Sequence, residues 1–291
     1  MTVVAHHEQG HLVTLAVESR HESEVHSLLG TGFGDVLCSC GACAVLSLFP
    51  HQSNPGIPAA LFSSLGRAGL AVQGVANSPS ALSLLIREEQ LEAVSRALFD
   101  AFTFRGCSTP DEWRAAQEGK EALYKEVVAS YQEKRPKVYG VTCLANQQLV
   151  CAVLDDPSLS PAAPAMSEAS RRGLRLSLIT SAPLRSDGPF HLSYCLPLAP
   201  AGEPSDLPTS PLPESPCRPA EPAAVFSMNG PHFGDRYGIT SELLAALGRG
   251  GVPLLALNCT VASITGAVPD RDLDAAVEAI QGCFEVPTVF R

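Results

Sequence analysis

Two stretches of the chain, GIPAALFSSLGRAGL (56–70) and GITSELLAALGRGGV (238–252), share seven identities in fifteen positions at a constant offset of 182 residues. The identical pairs are Gly56/Gly238, Ile57/Ile239, Leu61/Leu243, Leu65/Leu247, Gly66/Gly248, Arg67/Arg249 and Gly69/Gly251. The offset continues without insertion into QLEAVSRALFDAF (90–102) and DLDAAVEAIQGCF (272–284), where Leu91/Leu273, Ala93/Ala275, Ala97/Ala279 and Phe102/Phe284 match. A duplication that stays in register over this length constrains the fold more than any single motif. Each copy must be one supersecondary unit that buries its apolar face against something.

Both copies predict the same order of elements. A short apolar run (42–49; 223–228) reads as a strand, being bounded by turn residues. A Gly/Pro/Asn-containing loop then enters a helix with Ile57, Leu61, Phe62 and Leu65, or Ile239, Leu243, Leu244 and Leu247, on one stripe. Glycine closes each helix (Gly69; Gly250 or Gly251) where a left-handed cap is needed. Strands at 70–76 and 81–87, or 252–259 and 261–268, precede a second one-faced helix. The order βαββα lets two helices cover one face of an antiparallel sheet, so the predicted fold class is α+β, built of repeated ferredoxin-like modules.

The rest of the chain divides around these copies. Residues 1–39 predict a strand at 12–18, a short helix at 22–29 and a further strand at 35–39, together completing a sheet. The first module is expected over 40–104 and a charged connecting helix over 105–136. A degenerate second module is expected over 137–198, opening with a hairpin (138–155) around an Ala-Asn-Gln turn. Residues 199–222 hold eight prolines and read as an extended linker before the third module at 223–291.

Composition excludes several classes. The 291 residues carry a formal net charge of −10 and no clustered Lys/Arg, which argues against a nucleic-acid partner. No apolar run reaches the length of a membrane-spanning helix, and MTVVAHHEQGHLV lacks the basic start and apolar core of an export signal. A cytoplasmic location is therefore expected, with the ten cysteines reduced. Cys143, Cys151, Cys195 and Cys259 sit in apolar runs, where a thiol serves as a small hydrophobe.

The βαββα unit with a glycine-containing loop entering its first helix resembles the ACT domain, a small-molecule-sensing module, and in particular the paired ACT modules of aspartate kinases. Three stretches carry the likeness: NPGIPAALFSSLGRAGLAV, NSPSALSLLIREEQLEAVSRALFDAF and KVYGVTCLANQQLVCAVLDD. It covers about 40–104 and 137–288, clear in the outer modules and weak in the middle one, which lacks the glycine loop. Tyr237 replaces the Pro of Pro-Gly in the third module. The lysine-containing Phe-Gly-Gly start of an amino-acid kinase lobe is absent, so no catalytic residue carries over.

The loop GDRYGITS invites comparison with a phosphate loop, but Ile239 stands where that pattern needs Lys, and the glycine spacing is one residue short. A carboxylate fits better, because free N–H groups at a helix start hold anions. In the third module the candidate residues are Gly234, Asp235 (for a ligand ammonium), Arg236, Gly238, Ile239 and Asn258. In the first they are Gln52, Ser53, Asn54, Gly56 and Ile57, with Asn77, Ser78 and Ser80 on the following turn. The resemblance implies that effectors bind between neighbouring ACT units through this loop and the adjacent strand. The bland alternative is that Gly56 and Gly238 only allow close helix packing.

CSCGACAV (38–45) offers Cys38, Cys40 and Cys43 near a histidine-rich start, yet it lacks the paired spacing of a zinc site, so no metal and no cofactor is expected. GTGFG (30–34) reads as a turn, and Trp113 as an anchor for the connecting helix. The expected function is a stand-alone ACT-repeat regulator that binds an amino acid of the aspartate family, or a related metabolite, at an ACT–ACT interface. It would act as a homodimer and signal to a partner enzyme. The alternatives are the regulatory part of an aspartate kinase system, or a metal or thiol sensor using Cys38, Cys40 and Cys43.

Overall fold

The computed structural model describes residues 1–7, 10–32, 41–117, 135–185, 188–198, 222–230, 233, 238–260 and 263–291. Along the chain the strands are β1 (Thr2–His7), β2 (Gly10–Leu15), β3 (Cys43–Leu48), β4 (Gly74–Asn77), β5 (Leu82–Arg87), β6 (Gly140–Leu154), β7 (Leu178–Pro183), β8 (Phe190–Pro197), β9 (Ala223–Asn229), β10 (Ala256–Cys259), β11 (Ser263–Pro269) and β12 (Val289–Phe290). The helices are α1 (Glu22–Gly32), α2 (Gly56–Arg67), α3 (Leu91–Ala101), α4 (Pro110–Gln117), α5 (Ala163–Arg171), α6 (Ile239–Arg249) and α7 (Leu273–Cys283). The duplication survives in three dimensions. Both β4/β10 and α3/α7 begin and end 182 residues apart, and Gly69 and Gly251 both adopt positive φ after their helices.

The strands form one sheet in the order β2-β1-β10-β11-β9-β6-β8-β7-β4-β5-β3, antiparallel throughout, with β12 alone parallel to the start of β6. The sheet folds back on itself, because β1 and β10 lie against β4 and β7 across the interior. Helices α2, α3 and α5 cover the outer face of one half through Phe62, Leu65, Val94 and Met166. The outer face of the other half is covered by α6 and α7 through Leu243, Leu247, Val277 and Ile280. Small side chains separate the two halves, including Ala76, Ala182, Ala256, Ala267, Cys151 and Cys195. The α+β class expected from the repeat is the one observed.

The structure corrects the predicted hairpin at 138–155. Those residues make a single strand, β6, whose first part pairs with β9 and whose second part pairs with β8. The Ala-Asn-Gln triplet is a bulge: Leu144 faces Val225 and Gln147 faces Ala223, so β6 carries one extra residue there. Asn146 takes φ 53° and its N–H donates to Asp270 Oδ1 at 2.8 Å. The polar triplet looked like a chain reversal, but its residues only bend the strand. Two strands, β1 and β2, precede α1 where one (12–18) is expected, and β4 begins at Gly74 rather than Leu70. Helix α4 occupies the start of the predicted connecting helix; the remainder (118–134), the predicted strand at 35–39 and the linker at 199–221 lie outside the described residues.

Asn146 is exposed, so its substitution acts through the backbone. Asn146→Val should cost about 1–2 kcal/mol for a β-branched residue held left-handed. Asn146→Gly should be near neutral, and urea denaturation monitored by far-UV circular dichroism distinguishes the pair.

Candidate ligand-binding site

Between α2 and α5 the chain builds a contact with local two-fold character. β4 pairs antiparallel with β7, Val75 opposite Ser181 and Ala76 opposite Thr180. Above this pair α2 packs on α5. The approach is close at two points. A Cβ on Gly56 would stand 2.9 Å from Ser170 Oγ, and one on Gly66 would stand 2.5 Å from Ser160 Cβ. Ser160 and Ser170 are ten positions apart, as are Gly56 and Gly66, so each glycine meets a serine and the helices run antiparallel.

The loops entering the two helices repeat the symmetry. Leu176 N–H, leading into β7, donates to Ser53 O at 2.8 Å; Val72 N–H, leading into β4, donates to Pro157 O at 2.9 Å. In the first loop Gln52 and Ser53 take φ near 53° and 54°, and Asn54 Oδ1 accepts from Gly56 N–H at 2.9 Å and from Ser170 Oγ at 3.1 Å. In the second, Asp156 Oδ1 accepts from Ser158 N–H at 2.9 Å and Ser158 Oγ at 2.6 Å, while Oδ2 accepts from Ser160 Oγ at 2.7 Å. Burial alone would raise the Asp156 carboxyl, but the hydrogen bonds from Ser158 and Ser160 outweigh it and hold the group below its ordinary pKa. An ionised carboxylate thus lies at the end of the helix pair where α5 begins, and the Asn54 amide at the opposite end, where α2 begins.

The predicted residues fall into three places. Gln52, Ser53, Asn54, Gly56 and Ile57 lie together at the start of α2, tied to the Ser78–Ser80 turn by His51 N–H donating to Ser80 O at 2.6 Å. Ser78 Oγ accepts from Ala81 N–H at 2.8 Å and Ser80 N–H at 3.2 Å, which shapes that turn. Asn77 and Asn258 meet between the half-sheets: Asn258 Nδ2 donates to Asn77 Oδ1 and to Ile179 O, both at 3.2 Å, and Ile179 N–H donates to Asn77 Oδ1 at 2.7 Å. Gly238 precedes α6 with φ 86°, and Ile239 is buried in the second core. Gly234, Asp235 and Arg236 lie outside the described residues.

Sequence reasoning missed Asp156, Ser158, Ser160 and Ser170. The available signal was Ser158, which stands 104 positions after Asn54 and, like it, accepts from the N–H two residues on, Ser160 N–H at 3.2 Å. Of the cysteine motif, Cys38 and Cys40 are outside the described residues, and Cys43 is exposed at the start of an edge strand. The described cysteines are free thiols, and burial pushes that of Cys195 upward. Among the described residues no helix is long and apolar enough to cross a membrane, and no group of three His, Cys, Asp or Glu gathers as a metal site would.

No protein-family model matches the chain, and no curated protein resembles it in sequence. Its fold is found in solved structures. Aspartate kinase from Synechocystis superposes with a TM-score of 0.69 at 15% identity, over 97% of this chain and 48% of that one. The chain therefore spans about half the length of that kinase chain. The ligand-free regulatory subunit of aspartate kinase from Thermus thermophilus gives a TM-score of 0.40 at 14% identity, over 51% of this chain and 99% of that one. The corresponding subunit from Thermus flavus gives 0.38 at 17% identity, over 51% and 99%. At these identities the likeness is one of fold: repeated ferredoxin-like modules of the ACT type.

His51, in the loop before α2, is fully buried, and neither ring nitrogen makes a well-formed hydrogen bond. Burial pushes its pKa down to about 4, offset in small part by the Ser78 backbone. The unfolded chain protonates near pH 6.5 and the folded one only near 4. Stability is therefore full above pH 6.5 and falls by up to about 3 kcal/mol on acidification to 4. Denaturation across this range should show a smaller fall for His51→Phe than for the wild type.

Proposed function

We propose that the chain is a cytoplasmic ACT-type regulatory protein. It binds an amino acid of the aspartate family, or a related metabolite, at the contact of α2 with α5, beside the loop that enters α5, and relays that state to a partner enzyme. The observation that carries this reading is the reciprocal contact in which each helix-entry loop receives a backbone N–H from the other unit's strand lead, Leu176 to Ser53 and Val72 to Pro157. A ligand carboxylate can accept from such an N–H group, and at the Val72 contact the ionised Asp156, next to Pro157, offers a partner for an ammonium.

On this reading the ligand competes with bonds the protein makes to itself. Taking the Val72 N–H frees Pro157 O, so binding loosens one packing of α2 on α5 and favours another. Only a difference in affinity between those packings can transmit a signal. The likeness to aspartate kinase over about half of that chain supports a partner that carries a kinase lobe.

A thermal-shift screen of the twenty amino acids tests the proposal. Lysine, threonine or methionine is expected to raise the melting point, corresponding to about 2.7 kcal/mol at 100 times its dissociation constant. Asp156→Asn should abolish most of that shift while leaving the ligand-free protein folded, whereas Asn54→Ala, at the far end of α2, should keep it. If none of the twenty shifts the melting point, amino-acid sensing is wrong. Binding of ATP by this chain alone would instead favour a catalytic role.

A further inference from the structure

The internal repeat makes each half of the molecule a control for the other. In one half, α2 and the outer faces of β7 and β8 are covered by α5. In the other, α6 stands in the place of α2, and β1 and β2 stand in the places of β7 and β8. The pairings establish this, since β10 joins β1 as β4 joins β7, with Val4 opposite Leu257 and Ser181 opposite Val75. Nothing among the described residues stands in the place of α5.

The consequence is visible at matched positions. On β8, Leu192, Tyr194 and Leu196 are buried beneath α5. Their counterparts Val13 and Leu15 on β2, and Val17 just beyond it, are 54%, 51% and 50% exposed. On α2, Phe62 is buried and Gly66 meets Ser160. On α6, Leu244 is exposed, and a Cβ on Gly248 or on Gly238 would meet nothing within 4 Å. This is the seat of a helix, with an apolar floor and a wall kept low by glycine.

The same chain carries a helix without a seat. In α1, Val25, Leu28 and Leu29 form one apolar stripe, yet no residue of α1 is buried and Leu28 is 67% exposed. Short 3-10 turns at 88–90 and 270–272 fold α3 and α7 back onto their own sheets. The equivalent turn at 19–21 leads α1 off β2 without packing it there.

We propose that two copies of the chain exchange α1, each placing it in the other's seat over β2 and beside α6. Two identical contacts related by a two-fold axis close the assembly, so it stops at a dimer. The proposal does not rest on amino-acid binding.

Light scattering on the full chain should report the mass of two 30.6 kDa chains. Leu15→Lys in the floor and Leu28→Glu in the helix should each give monomer, with circular dichroism unchanged because both positions are exposed. An equal mixture of the two variants should recover dimer. In the mixed pair one seat keeps Leu15 and Leu28, and the other joins lysine to glutamate. Recovery on mixing is the result that docking of α1 within its own chain cannot produce. A monomeric wild type, a dimer that survives both substitutions, or two variants that stay monomeric when mixed would each overturn the proposal.

Discussion

Everything in this fold hangs on one strand that belongs to both halves of the sheet. Up to Leu144, β6 points Val141 and Cys143 into the core beneath α6 and α7. After Gln147 it points Val150, Ala152 and Leu154 into the core beneath α2 and α5. Odd positions face one helix layer and even positions the other, so the parity of the strand changes partway along. The extra residue at the bulge makes that change. Without it, every side chain of the second half would present the wrong face, and Leu149 and Cys151 would leave the space between the sheets.

The space between the sheets is unusual in being small and polar. Ser47 Oγ lies 2.8 Å from Ser83 Oγ in one half, and Ser227 Oγ lies 3.1 Å from Thr265 Oγ1 at the matching place in the other. Asn77 and Asn258 then join the halves directly. Hydroxyls and amides bond only in set directions, so this layer specifies alignment more than it adds burial energy. The helix-covered cores supply the apolar area, with Phe62, Phe226 and Phe284 fully buried.

The duplication, its βαββα order and both helix stripes were legible in the sequence, because period and spacing are local properties of the chain. Leu61 and Leu65, or Leu243 and Leu247, could only be core. The first-module loop was legible as well, since Asn54, Pro55 and Gly56 are turn chemistry at a helix start. Its partner loop was not. Pro157 and Ser160 matter through contacts with Val72 and Gly66, in a unit roughly ninety positions away, and no local pattern reports such a pairing.

By itself the sequence determined that the chain is a repeated α+β protein whose glycine-entered helices come in twins. Only the tertiary structure decided that the twins differ in their surroundings. Gly66 is packed against a serine while Gly248 faces open space, although both sit in the same Leu-Gly-Arg triplet. Likewise Asn77 and Asn258 were brought together between sheets rather than held apart in two loops. The physical reason is common to both cases: a residue's neighbours along the chain set its conformation, whereas burial and bonding depend on which distant segment is folded against it.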